Sequence, residues 1–312
     1  MPTFTLPGTA LTVSDVALGM MRIHDQTDAE IRQLVGAGID AGVNFIDHAD
    51  IYGGGVEHLC EARFAQAMGL TNAQRDALVI QTKCGINLAG NYFDFSKEHI
   101  LRQVEGSLQA LQTDRIDLLL LHRPDALVEP EEVAAAFDQL EASGKVRYFG
   151  VSNHTPGQIE LLKSVVRQPL VVDQVQFSIA HAPLVAAGLA ANMQTLDQSI
   201  VRDNGLVDYC RLKDITLQAW SPFQQGFFKG TFLGDRQNQA PLNAVLDRLA
   251  ASYQVEPIAI ATAWILRHPA RWQVVLGTTN PARVRAACAG SEVELTRPEW
   301  YELLKAAGYT IP

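Results

Sequence analysis

The chain has 312 residues, of which 47% are hydrophobic and 19% are charged, as is typical of globular proteins. Its formal net charge is −9 and it carries no run of Lys and Arg, which disfavours binding to nucleic acid or to an anionic membrane surface. We expect neither a signal peptide nor a membrane span, because no basic segment precedes an apolar core and no apolar stretch is long enough. The four cysteines lack C-x-x-C spacing, which favours a reducing cytoplasm and argues against zinc and disulfides.

The predicted elements alternate between short apolar strands and amphipathic helices. Alternating segments around Pro7-Gly8-Thr9 predict an N-terminal β-hairpin, and Val16–Gly19 follows as the first strand of the main sheet. A helix is predicted to run to Ile39, with Thr27 or Asp28 as its N-cap. Further strands are predicted near residues 43–47, 78–82, 116–121, 146–151, 171–175, 215–220 and 273–277. Further helices are predicted near residues 56–69, 96–111, 130–143, 156–165, 194–212, 241–253 and 257–268.

This alternation predicts βαβ units and therefore a parallel sheet. Counting Val16–Gly19 gives eight strands, the number that closes a (β/α)8 TIM barrel. An open doubly wound sheet is the alternative, but no G-x-G-x-x-G motif follows the first strand. We find no linker, so we expect a single domain over residues 1–312. Long loops at residues 86–95, 178–193 and 222–240 are expected to wall a pocket at the C-terminal mouth of the barrel.

Polar side chains follow three of the predicted strands where these end. Asp47 closes one strand, with Tyr52 just beyond it, Lys83 ends a second strand and His122 a third. Because the carboxyl ends of parallel strands meet at one mouth, we expect the four side chains to converge. Each residue alone has an ordinary structural explanation, and only the joint placement favours a function. A protonated Lys83, held by Asp47, would lower the pKa of Tyr52 from about 10 and make it a general acid.

The sequence also resembles a known family, the aldo-keto reductases. The resemblance lies in the segments FIDHADIY at 45–52, Thr82-Lys83, LHRPD at 121–125 and GVSN at 150–153, and extends over nearly the whole chain. It implies a (β/α)8 barrel that uses NADPH, or sometimes NADH, to reduce aldehydes and ketones. It further implies that Tyr52 is the proton donor, that Asp47 and Lys83 tune it, and that His122 orients the substrate.

Cofactor contacts are implied by the same resemblance. It assigns Ser152, Asn153 and Gln174 to the nicotinamide carboxamide, Trp220 to stacking on the nicotinamide ring and Ser221 to the pyrophosphate. Trp220 has plain core packing as its structural alternative.

The segment for the 2′-phosphate departs from the family, which often has Lys or Arg where Gly277 or Thr279 stands. Thr278, Asn280 and Arg283 remain, at the start of a predicted helix. NADPH is therefore the expected cofactor, with NADH open. Met21 and Phe223 are expected to line a pocket for a small apolar or aromatic carbonyl compound, without a metal.

Two other functional classes stay open from the sequence. In a barrel lyase, a desolvated Lys83 would form a Schiff base with its substrate and need no nicotinamide. The second alternative is a cofactor-sensing partner protein, because the family includes channel subunits that bind nucleotide tightly and turn over slowly.

Overall fold

The computed structural model describes residues 1–191, 197–226 and 229–311. Its strands are β1 Thr3–Thr5, β2 Thr12–Ser14, β3 Val16–Gly19, β4 Phe45–Asp47, β5 Val79–Cys84, β6 Ile86–Asn87, β7 Tyr92–Phe93, β8 Ile116–Leu121, β9 Val146–Ser152, β10 Leu170–Gln176, β11 Thr216–Trp220 and β12 Trp272–Leu276. Its α-helices are α1 Asp28–Asp40, α2 Leu59–Met68, α3 Asn72–Asp76, α4 Lys97–Leu111, α5 Pro130–Ala142, α6 Pro156–Lys163, α7 Pro183–Leu189, α8 Leu206–Leu212, α9 Ala240–Tyr253, α10 Pro257–Leu266, α11 Pro281–Cys288 and α12 Arg297–Ala306. Short 3-10 helices lie at Asp197–Ser199 and Ala289–Glu292.

The main sheet is a closed parallel barrel with the order β3-β4-β5-β8-β9-β10-β11-β12. It closes where β12 pairs with β3, with Val274 opposite Val16 and Leu276 opposite Leu18. The strands β5, β8 and β12 are buried along their whole length, because helices cover the outer face and the barrel interior is filled with side chains. The predicted (β/α)8 barrel is confirmed, and the open sheet is not formed.

The N-terminal hairpin of β1 and β2 closes the bottom of the barrel. Its strands pair antiparallel, with Phe4 opposite Val13. Leu6, Leu11 and Val13 are buried in a cluster with residues of the barrel strands, among them Phe45 and Val79. The barrel is therefore plugged at this end, and the carboxyl ends of its strands are left to form the mouth.

The first helix, α1, is amphipathic and has the N-cap that the sequence predicts. In α1 the buried face includes Ile31, Leu34 and Val35, and Thr27 forms a capping box with Glu30 at its start. None of the described helices is by itself long and apolar enough to cross a membrane. The pair α9 and α10 passes that test of length and composition only when the two are counted together, and they are bent by 94°.

The predicted helix over residues 194–212 is wrong in its extent. Of the part that the structure describes, only Asp197–Ser199 and Leu206–Leu212 are helical, and residues 194–196 lie outside the described residues. The helix begins late because Asn204 (φ 55°) and Gly205 (φ 73°) adopt left-handed backbone conformations, which a right-handed helix cannot contain. Two loops also hold unpredicted elements: α7 lies within residues 178–193, and β6 pairs with β7 within residues 86–95.

Candidate active site

Asp47 and Lys83 form a buried ion pair inside the mouth of the barrel. In the register of β4 and β5 Asp47 lies opposite Gln81, so Lys83, two residues further on, points to the same face. Lys83 Nζ lies 2.7 and 2.8 Å from the two carboxylate oxygens of Asp47 and donates to the main-chain oxygen of His48 at 2.7 Å. Burial opposes the charge on Lys83, but Asp47 and Tyr52 outweigh it, so the pKa of Lys83 is raised. The lysine is a cation held in one orientation.

Tyr52 is carried by the turn that follows β4. Its N–H donates to Ala49 O at 3.1 Å and its carbonyl accepts from Cys60 N at 2.9 Å, so the turn is anchored to the start of α2. The chain then passes through Gly53 (φ 154°), where an added Cβ would lie 2.5 Å from both Leu59 Cβ and Val56 O. Glycine is required at this position because both the backbone angle and the close approach exclude a side chain.

The hydroxyl of Tyr52 contacts the ion pair directly. Lys83 Nζ donates to Tyr52 Oη at 3.1 Å and lies 4.9 Å from the centre of its ring. Burial raises the pKa of Tyr52 above its ordinary value of 10, and the opposing effect of Lys83 does not overcome it. The sequence-based prediction of a lowered pKa is therefore wrong in direction, because it did not include desolvation. The phenol is protonated at neutral pH.

His122 lies beside Tyr52 at the end of β8. The two rings are 6.0 Å apart and nearly perpendicular. Burial lowers the pKa of His122 well below its ordinary value of 6.5, and the charges of Lys83 and Arg123 lower it further. Its Nδ1 is buried and has no hydrogen-bond partner among the described residues. The imidazole is therefore neutral, and its position suits hydrogen bonding to a substrate oxygen held next to Tyr52.

Ser152, Asn153, Gln174 and Trp220 form one hydrogen-bonded group next to these residues. Ser152 Oγ donates to the main-chain oxygen of Gln174 at 2.7 Å, and Trp220 Nε1 donates to Asn153 Oδ1 at 3.0 Å. Asn153 Nδ2 donates to Ser152 Oγ at 2.8 Å and to His122 O at 3.3 Å. The residues expected at the nicotinamide are therefore brought together and linked to the His122 loop.

Ser221 and Phe223 follow Trp220 on the same loop, and Met21 lies in the loop after β3. Ser221 adopts a positive φ of 50°, an uncommon conformation for serine that is over-represented at ligand sites. Phe223 packs partly buried against the core, whereas Met21 is 39% exposed. These positions suit a hydroxyl at the pyrophosphate and an apolar wall.

The segment expected at the 2′-phosphate lies between β12 and α11. Asn280 caps α11, and its Oδ1 accepts from Ala282 N at 2.9 Å and from Arg283 N at 3.3 Å. Arg22 Nη1 reaches the same segment and donates to the main-chain oxygen of Gly277 at 3.1 Å. Because Asn280 already uses the first N–H groups of the helix, attraction for a phosphate here rests on the guanidinium groups of Arg283 and Arg22.

A protein-family model for the aldo/keto reductase family matches residues 15–307 of this chain. The chain belongs to the aldo/keto reductase family. The uncharacterized oxidoreductase YcsN of Bacillus subtilis (strain 168) is 37% identical, and the match covers 97% of each chain. A 6-dehydroglucose reductase of Agrobacterium fabrum is 36% identical, with 95% of each chain covered. The crystal structure of a thermostable aldo-keto reductase, Tm1743, with the inhibitor epalrestat superposes with a TM-score of 0.76 at 25% identity, covering 99% of this chain and 100% of that one.

The family membership predicted from the sequence is thus confirmed, and the protein is an NAD(P)H-dependent aldo-keto reductase. The structure adds residues near the aldo-keto reductase site that the sequence reading did not assign. The guanidinium of Arg123 lies 5.7 Å from the centre of the Trp220 ring and covers one of its faces. The buried glutamines Gln81 and Gln218 contact Asp47 and Gln174 in the barrel interior. Gln218 had a signal in the sequence, as an amide between the apolar residues Leu217 and Ala219, whereas Gln81 stands directly before Thr82 and Lys83.

Proposed function

We propose that this aldo-keto reductase uses NADPH to reduce the carbonyl group of a small aldehyde or ketone to an alcohol, with Tyr52 as the proton donor. Reduced nicotinamide, when bound, supplies the hydride. The observation that carries the proposal is the contact of Tyr52 Oη with Lys83 Nζ at 3.1 Å, where the same ammonium is held by both oxygens of Asp47. A protonated phenol beside a fixed cation suits the delivery of a proton to a developing alkoxide.

The roles of the four residues follow from their charge states. The phenol keeps its proton until the substrate oxygen becomes an alkoxide, a stronger base than phenolate, and the proton then moves from Tyr52 Oη to that oxygen. Lys83 stabilises the phenolate that forms, and Asp47 holds Lys83 in place. A neutral His122 donates a hydrogen bond to the same oxygen and fixes its position.

The cofactor residues are proposed as Ser152, Asn153 and Gln174 for the carboxamide, Trp220 for the ring and Ser221 for the pyrophosphate. At the far end Gly277, Thr278, Asn280 and Arg283 would meet the adenosine 2′-phosphate, together with Arg22. Two arginines at this segment favour NADPH. One Escherichia coli relative, 27% identical, is named an NADH-specific methylglyoxal reductase, so a preference for NADH is the contrary outcome.

The substrate is proposed to be a small carbonyl compound whose apolar part lies between Met21 and Phe223. The name of the Agrobacterium fabrum relative adds a second substrate class, because it describes a reductase of an oxidised sugar. A panel of aliphatic, aromatic and sugar aldehydes would separate the two classes by kcat/KM.

The direct test is Tyr52→Phe, assayed by carbonyl-dependent loss of reduced nicotinamide absorbance. We expect kcat to fall by about 10²–10⁴-fold, the usual contribution of a positioned proton donor, while NADPH still quenches tryptophan fluorescence. Tyr209→Phe, at a tyrosine of α8 whose hydroxyl donates to Glu160 on the outside of the barrel, is the matched control and should retain wild-type kcat. Reduction within a few fold of wild type in Tyr52→Phe would exclude Tyr52 as the donor.

The structure and the relatives bear differently on the two alternatives, the Schiff-base lyase and the cofactor-sensing partner protein. A Schiff-base lysine must be neutral, whereas Lys83 has a raised pKa and both oxygens of Asp47 as partners, which argues against the lyase. The sensing role is supported by a rice relative, 27% identical, named as a probable voltage-gated potassium channel subunit beta. Tight cofactor binding with negligible turnover across the carbonyl panel would favour that role.

A further inference from the structure

Four buried glutamines form a continuous hydrogen-bonded chain across the interior of the barrel. They are Gln81 on β5, Gln174 on β10, Gln218 on β11 and Gln273 on β12, and we refer to them as the amide chain. Gln174 lies opposite Gln218 in the strand register, and Gln218 lies opposite Gln273, so three of the amides stand side by side at one level. Gln81 joins them from the far side of the barrel by a contact with Gln218.

The directions of the amides are set by an acceptor at each end of the chain. Gln273 Nε2 donates at 2.6 Å to the main-chain oxygen of Ser14, which can only accept. The oxygen of Gln273 therefore faces Gln218 and accepts from its Nε2 at 2.8 Å. The oxygen of Gln218 in turn accepts from Nε2 of Gln81 at 2.8 Å and of Gln174 at 2.9 Å. Because the Ser14 carbonyl at one end and the Asp47 carboxylate at the other can only accept, a flip of any of these amides would place two donors or two acceptors against each other.

The other end of the amide chain is the carboxylate of Asp47. Its Oδ1 accepts from Gln81 Nε2 at 2.5 Å and from Gln174 Nε2 at 3.1 Å, and the same oxygen contacts Lys83 Nζ. Asp47 therefore accepts from three donors, Lys83 and the two amides, and the amides can donate only because their nitrogens face the carboxylate. With these amides reversed, two oxygens would face a carboxylate and repel it.

We propose that Gln218 and Gln273 are positioning residues of the reductase, which carry the polarity of the Ser14 carbonyl through the barrel to Asp47 and thereby fix its carboxylate against Lys83. This inference rests on the proposed function, because it assigns the two glutamines to the tuning of Tyr52. Neither residue belongs to the group of Asp47, Tyr52, Lys83 and His122, and Gln273 acts on Asp47 through two further side chains.

Removal of Gln273 should loosen this arrangement from a distance. Without the Gln273 oxygen, the buried Nε2 of Gln218 has lost its acceptor and the Gln218 amide is free to shift, so its oxygen holds Nε2 of Gln81 and of Gln174 less firmly in place beside Asp47. Asp47 raises the pKa of Lys83 against the opposing effect of burial, so a weakened pair lets that pKa fall. Lys83 then loses its charge at a lower pH, and the alkaline limb of the pH–rate profile moves to lower pH.

The test compares three variants of the full-length protein. Gln273→Met removes the amide at similar volume and should lower kcat about tenfold and move the alkaline limb down by about one pH unit, the scale of one hydrogen bond to a charged group. Gln273→Glu is the rescue variant, because a buried neutral carboxyl donates to Ser14 and accepts from Gln218, and its profile should lie closer to wild type. Gln168→Met is the control, since Gln168 is buried but donates to Asp138 and Glu141 of α5, on the outside of the barrel.

The side-chain amide resonances of Gln81, Gln174 and Gln218 give a readout that does not depend on activity. They should shift in Gln273→Met and not in Gln168→Met. Unshifted resonances in folded Gln273→Met overturn the amide chain, and shifted resonances with a wild-type pH–rate profile overturn its positioning role. Equal profiles for Gln273→Met and Gln273→Glu overturn the fixed polarity. A wild-type protein that reduces no carbonyl compound refutes the proposed function instead, which is a separate result.

Discussion

Replacing Lys83 by Met should slow carbonyl reduction about a hundredfold. At the observed separation of 3.1 Å between Lys83 Nζ and Tyr52 Oη, a full negative charge on the phenolate would gain about 5 kcal/mol at an effective dielectric constant of about 20. If about half of that charge has developed in the transition state, the loss is about 2.7 kcal/mol, which corresponds to about a hundredfold in kcat.

The assay is single-turnover reduction with NADPH prebound, which isolates hydride and proton transfer from product release. Because Lys83→Met leaves Asp47 buried without its cation, at a cost to stability of about 3–5 kcal/mol, the Asp47→Asn/Lys83→Met double variant separates folding from chemistry. Lys145→Met, which removes a lysine paired with Glu105 on the outside of the barrel, should match wild type. A kcat within a few fold of wild type in folded Lys83→Met would refute the electrostatic role of Lys83.

Three further outcomes follow from the structure. Because the pKa of His122 is well below 6.5, kcat/KM should not fall at acid pH near 6.5. A fall near that pH in wild type that disappears in His122→Asn would contradict a neutral imidazole. Arg283→Ala should weaken NADPH binding about tenfold and leave NADH binding unchanged, whereas Arg285→Ala, at an exposed neighbour on α11, should alter neither. If fluorescence titration gives Arg283→Ala the same affinity for NADPH as wild type, Arg283 does not contact the 2′-phosphate. Burial raises the pKa of Asp173 to about 8, so the folded state holds its proton more tightly than the unfolded chain and stability falls as pH rises from about 4 through about 8. Between about pH 4 and about pH 8, Asp173→Asn should reduce the fall in the free energy of unfolding, measured with urea, by up to about 5 kcal/mol. If the free energy of unfolding varies with pH in Asp173→Asn as it does in wild type, Asp173 is not the group responsible.

Local sequence patterns were sufficient for most of the architecture. The alternation of buried strands and amphipathic helices predicts the barrel, because strands covered on both sides are rich in apolar residues. The error in the predicted helix over residues 194–212 had a local cause as well. Asn204 and Gly205 were counted inside a helical pattern although both favour left-handed conformations.

The sequence by itself determined which polar residues stand at strand ends, and hence the group of Asp47, Tyr52, Lys83 and His122. It could do so because parallel strands bring their carboxyl ends to one mouth whatever the helices between them contain. Only the tertiary structure decided the sign of the pKa shift of Tyr52, because desolvation depends on atoms contributed by the whole barrel. It also decided the amide chain, in which Gln81 and Gln218 meet across a separation of 137 residues. Strand patterns mark such glutamines as buried, but their partners and directions exist only once the barrel closes.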